Sequence, residues 1–325
     1  MMRAVLCRNY GPPESLVLEE LPSPAPGAGE VLIRVRAAGL NFFDTLIIEN
    51  KYQFKPQLPF SPAGEVAGDI TAIGEDVQGF RVGDRVMAYL GWNGAREEVV
   101  APVSKLIPLP DAIDYATAAG LSVTYGTTLH ALKDRARIQP GETLAVLGAA
   151  GGTGQAAIEL GKQFGARVIA AASSDDKLAF CRELGADEVI NYERESLKDR
   201  LKELTDGKGV DVVYDPVGGP LAEQALRSTG WYGRFLVIGF AGGEIPKIPL
   251  NLVLLKSCDI VGVFWGAYIE REPQRNRENM EMLLGWCASG RVRPRIDRTF
   301  PLDRTADALN VLAKRQAKGK IILEV

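Results

Sequence analysis

The sequence predicts an α/β protein of two domains, one β-rich and one a doubly wound parallel sheet with helices on both faces. Three observations lead there. The chain has 325 residues, roughly twice the length of a typical single domain. Its first part is a series of short strands punctuated by Gly and Pro turns. Its middle alternates continuous apolar runs with amphipathic helices, the pattern of a parallel sheet covered on both sides.

The β-rich part covers residues 1–120. In the run Glu30–Ala38, Val31, Ile33, Val35 and Ala37 fall on one side of a strand, with Arg34 and Arg36 on the other. Turns at Gly11-Pro12-Pro13, Pro22–Gly27 and Val82-Gly83-Asp84 separate such strands, as in a small barrel or sandwich. The rhythm changes over residues 121–264. Thr143–Gly148 is an apolar strand, and Ala156, Ala157, Leu160 and Phe164 then share a helix face. Arg167–Ala172 is a second strand, followed by a helix over Asp175–Leu184 that stops at Gly185. Glu188–Asn191, Val210–Asp215 and Arg234–Gly239 supply further strands. The tail, residues 265–325, holds a polar helix over Gln274–Leu284 and a strand over Gly319–Val325. It offers no third core, so it is expected to rejoin the first domain.

Composition narrows the function. Hydrophobic residues make up 46% and charged residues 24%, an ordinary globular balance. The net charge of −3 is the wrong sign for general binding to a nucleic-acid backbone. No apolar run is long enough to span a bilayer. The N-terminal MMRAVLCRNYGPPES lacks the apolar centre of a signal peptide, so a cytoplasmic location is expected. Cys7, Cys181, Cys258 and Cys287 lie far apart, with no C-x-x-C pair. His130, the one histidine, falls in the helix-like TTLHALKD and reads as a packed or surface residue. With so few thiol and imidazole ligands, neither a metal site nor a Ser-His-Asp triad is expected.

The strongest motif is the strand Leu144–Leu147 running into Gly148-Ala-Ala-Gly151-Gly152-Thr153-Gly154 and then a helix. Backbone N–H groups at a helix start, together with the positive end of its dipole, hold a pyrophosphate. Glycines let the backbone approach it and let the helix pack against the strand. Gly148, Ala150, Gly151, Gly152, Thr153 and Gly154 are therefore cofactor candidates. The strict G-x-G-x-x-G spacing begins on Ala149, so a purely structural turn is the competing reading. The second strand ends Ala172-Ser173-Ser174-Asp175-Asp176-Lys177, with no carboxylate at the tip itself. Ser173 can donate to a phosphate oxygen and Lys177 can supply charge, which favours NADPH. The alternative is that Asp175 takes a ribose hydroxyl and Lys177 is a solvated helix residue.

Seven segments together carry a family resemblance: Ala38–Asp44, Pro62–Gly68, Val82–Val86, Gly148–Gly154, Gly185–Tyr192, Asp215–Gly219 and Gly319-Lys320. Over essentially its whole length the chain resembles the zinc-free quinone oxidoreductases, the zeta-crystallin-like branch of the medium-chain dehydrogenase/reductase superfamily. The resemblance implies a GroES-like β-barrel domain plus a Rossmann domain, and a homodimer formed through the Rossmann sheet edge. Zinc-dependent relatives carry a cysteine where this chain has Asn41 and a histidine where it has Gly64. Their four-cysteine lobe has no counterpart between Val86 and Pro110.

By the same resemblance Asn41 lies by the nicotinamide ribose. Asp44 is an active-site acid, or else a helix cap or the partner of an arginine. Tyr52 is a substrate-side phenol, or a packing residue. Thr124 lies under the nicotinamide, or bonds its own helix backbone. Tyr192 covers the adenosine 2′-phosphate region, while Val217, Gly218, Gly239, Phe240 and Ala241 end strands near the cofactor. Phe264, Trp265 and Gly266 wall the nicotinamide, and Lys318 and Lys320 reach ribose or phosphate. For each of these, ordinary packing, a plain turn or a solvated side chain is the alternative. Glu65 is expected to hold barrel structure through an arginine.

The resulting expectation is an NADPH:quinone reductase working without a metal, by orientation and stabilisation of a developing oxyanion. Two alternatives stand beside it. One is NADPH-dependent reduction of an activated C=C bond in an enone or enoyl thioester. The other is a non-catalytic NADPH-binding scaffold.

Overall fold

A computed structural model describes residues 1–325. The chain forms two compact units, Met1–Val123 with Met280–Val325, and Thr124–Asn279. The first stretch contributes strands β1 (Met2–Leu6), β2 (Val17–Leu21), β3 (Glu30–Leu40), β4 (Glu65–Ile73), β5 (Arg85–Tyr89), β6 (Glu98–Pro102) and β7 (Leu106–Pro108). The second unit holds β8 (Thr143–Val146), β9 (Arg167–Ala172), β10 (Glu188–Asn191), β11 (Val210–Asp215), β12 (Thr229–Val237) and β13 (Asp259–Gly262). The tail adds β14 (Ile296–Pro301) and β15 (Lys320–Glu324).

In the first unit β3 is the hub. It pairs antiparallel with β4, β6 and β15, and the sheet continues β4-β5-β7 on one side and β15-β14 on the other. Two register shifts against β4, at Leu32/Ile33 and Val35/Ala37, allow one strand to bend and serve three partners. The alternation read from the sequence holds: Val31, Ile33 and Val35 are buried while Arg34 and Arg36 are exposed. They share one core with Val66, Ile70, Val86, Leu106 and the tail residues Ile321 and Leu323. Burial of those two tail residues is why the chain returns.

In the second unit six parallel strands run in the order β10-β9-β8-β11-β12-β13, with helices between successive strands. This is the doubly wound Rossmann order, and the strand sequence reverses direction between β8 and β11. Leu144, Ala145 and Val146 of β8 and Val212, Val213 and Tyr214 of β11 are all buried, as continuous apolar runs require. β12 starts at Thr229, ahead of the apolar stretch from Arg234. β13 went unforeseen because it is an edge strand of only four residues, none of them buried.

The second chain crossing falls at Met280, not at residue 265. The Trp265 indole lies against Gly126. Tyr268 stacks on His130 with ring centroids 3.8 Å apart, and Asn279 Nδ2 donates to Asp134 Oδ2 at 2.9 Å. These contacts keep residues 265–279 with the parallel sheet. His130 is buried, its Nδ1 3.0 Å from Asp134 Oδ2, on a π-helical turn (His130–Arg135) that extends the helix Ser122–Leu129. The polar tail helix spans Pro273–Ala288, longer at both ends than its polar pattern. No helix is long and apolar enough to cross a membrane.

Candidate functional site

The carboxyl ends of the six parallel strands carry most of the expected cofactor residues. After β8, Gly148 takes φ +56°, and Gly151 N–H closes a tight turn onto Gly148 O at 3.0 Å. Gly151 is the extended N-cap of the helix Gly152–Gln163, and no side chain caps that helix. Its first-turn N–H groups are thus left to an outside acceptor, and the dipole favours an anion there. Gly154 secures the approach of helix to turn. A Cβ at that position would lie 2.4 Å from Gly148 O and 2.6 Å from Ala149 Cα. These features fit a dinucleotide pyrophosphate.

At the end of β9, Lys177 Nζ comes within 3.2 Å of Ser173 Oγ, which brings the two expected phosphate residues together. Asp175 is engaged from the neighbouring strand. Its Oδ1 accepts from Asn191 Nδ2 at 2.8 Å and its Oδ2 from Arg194 Nη1 at 2.7 Å. Ser174 is the N-cap of the helix Asp175–Glu183, but its hydroxyl donates to Asp176 instead of accepting a backbone N–H. Tyr192 follows β10, half-buried against the sheet core.

The loops after β11 and β12 are laced together. Asp215 Oδ1 accepts from the N–H groups of Val217 (2.8 Å) and Gly218 (2.9 Å), and burial pushes its carboxyl pKa up. Ala241 N–H then donates to Pro216 O, and Gly242 N–H to Val217 O. Val217, Gly218, Gly239, Phe240 and Ala241 thus form one rim, with the Phe240 ring exposed. Beneath it lies an apolar cavity of about 180 Å³ lined by Asp215, Val237, Phe240 and Ile260 among others. After β13, Phe264 is exposed, Trp265 is buried and Gly266 follows it. Thr124 is buried in its helix, and its carbonyl accepts from Thr128 Oγ1 at 2.7 Å; that hydroxyl also meets Tyr214 OH on β11 at 2.8 Å.

The remaining candidates belong to the first unit and centre on a buried polar knot. Lys320 Nζ donates to Glu65 Oε1 (2.6 Å), Asn41 Oδ1 (2.8 Å) and Leu40 O (3.0 Å). Asn41 Nδ2 donates to Glu65 Oε1 at 2.9 Å, and Val123 N–H donates to Glu65 Oε2 at 2.9 Å. Glu65, Lys320 and Asn41 are all buried.

Two expectations are corrected by this arrangement. Lys320 spends its three ammonium donors inside the barrel and has none left for a ribose or phosphate. Glu65 finds a lysine, not an arginine, and that lysine comes from the last strand of the chain.

Asp44 takes the capping role. Its Oδ2 accepts the Asn41 N–H at 2.7 Å, starting the helix Phe42–Ile48, and its Oδ1 accepts the Ala63 N–H at 3.0 Å. Burial raises its pKa to about 7, against the lowering effect of those two N–H groups and of the Lys320 charge. With both oxygens on backbone, Asp44 positions Asn41. Tyr52 stacks on Phe43 with centroids 5.5 Å apart and is half-buried, which raises its phenol pKa. Lys318 is partly buried, with its backbone N–H on Asp297 Oδ2. The knot was missed in the sequence because residues 41, 65 and 320 share no spacing; a lysine within an apolar strand was the one available sign.

Two family models match the chain: an alcohol dehydrogenase GroES-like domain over residues 27–111 and a zinc-binding dehydrogenase domain over residues 152–284. The chain is 40% identical to quinone oxidoreductase-like protein 2 homolog of Nematostella vectensis, over 99% of this chain and 88% of that protein. Its structure is similar to Pseudomonas syringae quinone oxidoreductase (TM-score 0.92, 32% identity, all of both chains). It is equally similar to Escherichia coli quinone oxidoreductase complexed with NADPH (TM-score 0.92, 29% identity, all of both chains). Barrel, parallel sheet, glycine turn and full-length similarity agree: the chain belongs to the quinone oxidoreductase family of the medium-chain dehydrogenase/reductase superfamily.

Proposed function

We propose that this chain is an NADPH-dependent reductase that passes a hydride to a quinone without a metal. The observation that carries the reading is the uncapped, glycine-lined helix start at Gly151–Gly154, with Ser173 and Lys177 paired at the end of the adjacent strand. The first suits a pyrophosphate and the second a 2′-phosphate. Bound there, NADPH supplies a hydride, and the charge that develops on the acceptor falls on a conjugated oxygen. The relatives named as quinone oxidoreductases support the acceptor class.

The chain's own residues bind and orient. Thr124, Tyr192, Val217, Gly218, Gly239, Phe240, Ala241, Phe264, Trp265, Gly266 and Lys318 form cofactor walls in this reading. Asn41 keeps one amide N–H beyond its bonds to Glu65 and Lys320, and its rotamer is fixed by both. Tyr52 offers a phenol to the acceptor oxygen. Metal independence is supported by the donor set. No three His, Cys, Asp or Glu side chains gather as a metal site, and the Lys320 ammonium already neutralises Glu65 beside Asn41. We also propose a cytoplasmic homodimer joined along the β13 edge. The exposed Trp231, Tyr232, Leu250, Leu254 and Leu255 of the same unit support it.

The test is an acceptor panel with NADPH and NADH in parallel, before and after chelation, with zinc measured on the purified protein. Turnover of a benzoquinone with NADPH, undiminished by chelation, is expected. Preferred turnover of an enone or crotonyl thioester would shift the reading to an alkene reductase. Tight NADPH binding with no acceptor reduced would leave a scaffold, and one zinc per chain lost together with activity would end the metal-free reading.

A further inference from the structure

The first helical turn after β9 carries two acids, one and two residues past the N-cap Ser174 and close to the strand end where a carboxylate selects the unphosphorylated cofactor. A carboxylate at this strand end accepts a ribose 2′-hydroxyl and repels a 2′-phosphate. One of the two, Asp176, accepts from Ser174 Oγ at 2.7 Å. The other, Asp175, is held from the neighbouring strand. Asn191 ends β10 and is buried, with its amide Nδ2 on Asp175 Oδ1. Arg194 closes on Asp175 Oδ2, completing a two-sided grip at 2.8 and 2.7 Å.

The grip is built into one turn organised around Asn191. Its carbonyl accepts from Arg194 N–H (3.1 Å) and Glu195 N–H (2.9 Å), and its Oδ1 accepts from Glu193 N–H (3.2 Å). Glu195 Oε2 in turn accepts the Asn191 N–H at 3.2 Å. The residue that fixes the amide therefore also fixes the start of the arginine.

We propose that Asn191 and Arg194 act as a clasp that disarms Asp175, and that this clasp sets the site's preference for a 2′-phosphate over a 2′-hydroxyl. Asp175 then has each oxygen engaged by a donor and its charge compensated by the Arg194 guanidinium, which weakens both its pull on a ribose hydroxyl and its repulsion of a phosphate. Ser173 and Lys177 are left to recognise the phosphate. Arg194 is a positioning residue here, acting through Asp175. The inference rests on the reading that places the nucleotide's 2′ end at the tip of β9.

The test is a double-mutant cycle read as dissociation constants for NADPH and NADH, from the fluorescence of the bound reduced cofactor. Arg194→Ala should weaken NADPH by about three- to fivefold, the range of an exposed ion pair, without weakening NADH. In the Asp175→Asn background the same change should leave NADPH binding unaltered, and Arg194→Lys should restore most of the loss. A loss that persists in the Asp175→Asn background would mean that Arg194 acts on the phosphate directly, and the clasp falls. Equal losses for both cofactors, or none for either, also overturn it. Lys177→Ala tests the underlying reading separately. If that variant fails to discriminate NADPH from NADH, the placement at the β9 tip is wrong, whatever Arg194 does.

Discussion

The glycine turn after β8 and the polar knot around Glu65 are built by opposite means. The turn works by leaving things out: a side chain at Gly154, and a cap on the helix that follows. Its donors are backbone N–H groups aimed by local geometry, within one seven-residue stretch. The knot works by bringing things in. A carboxylate, an amide and an ammonium from β4, the end of β3 and β15 satisfy one another where water is excluded. One region is therefore sensitive to added volume, the other to lost charge, and substitutions of similar size should fail for different reasons.

The largest effect is expected in the knot. Lys320→Met keeps most of the buried stem and removes the ammonium, leaving the Glu65 carboxylate with N–H donors but no cation. An orphaned buried charge of this kind costs about 3–5 kcal/mol, to be read from urea denaturation midpoints. Adding Glu65→Gln to the same chain should recover a large part of that loss, because the remaining amides can pair without a charge. A single variant that costs less than about 1 kcal/mol, the range of an exposed pair, would show that water reaches the knot.

The turn should break sterically. Gly154→Ala sets a Cβ 2.4 Å from one backbone oxygen and 2.6 Å from a backbone carbon, so the helix must move off the turn. A loss of about 1–3 kcal/mol in stability is expected, together with NADPH binding weakened by at least about tenfold. Gly151→Ala is the matched control. Its Cβ would meet only Gly148 O at 3.4 Å, and its φ of −75° suits any residue, so stability should hold. If Gly154→Ala binds as well as Gly151→Ala, the close approach of helix to turn plays no part in the site.

The same contrast explains what the sequence disclosed. The glycine turn, the strand–helix alternation and β3 are local patterns, and each stands where its residues placed it. The contact between Ser173 and Lys177 was legible because the two fall four apart at a helix start, where side chains meet. The knot was not legible, because its partners lie on strands joined only by sheet pairing. Lys320 reads in the sequence as a lysine reaching ribose or phosphate, or else a solvated one; the pairing of β15 with β3 buries it instead. The grip of Asn191 and Arg194 on Asp175 was hidden for the same reason, crossing between neighbouring strands. Residues 265–279 were assigned to the wrong unit because hydropathy cannot show Tyr268 stacking on His130. Local steric rules are written in spacing; electrostatic partnerships follow topology.

Asp44 refines the comparison, since it is an ionisable side chain doing the work of a backbone cap. Its pKa is pushed from an ordinary 3.8 up to about 7, mainly by burial. Between those values the folded state holds a proton that the unfolded state has released. Stability from this group is therefore complete below about pH 4 and is lost as pH rises toward 7. Asp44→Asn keeps the shape and removes the titration. It also gives up one acceptor, so the variant should be less stable throughout, and only the slope is diagnostic. The advantage of the native residue over Asn should shrink by about 2 kcal/mol between pH 5 and pH 7, measured by urea unfolding at each pH. An advantage that stays constant or grows with pH would mean that Asn41 N–H, Ala63 N–H and the Lys320 charge outweigh burial. Asp44 would then belong electrostatically to the ionised knot, and the buried neutral cap would have to be abandoned.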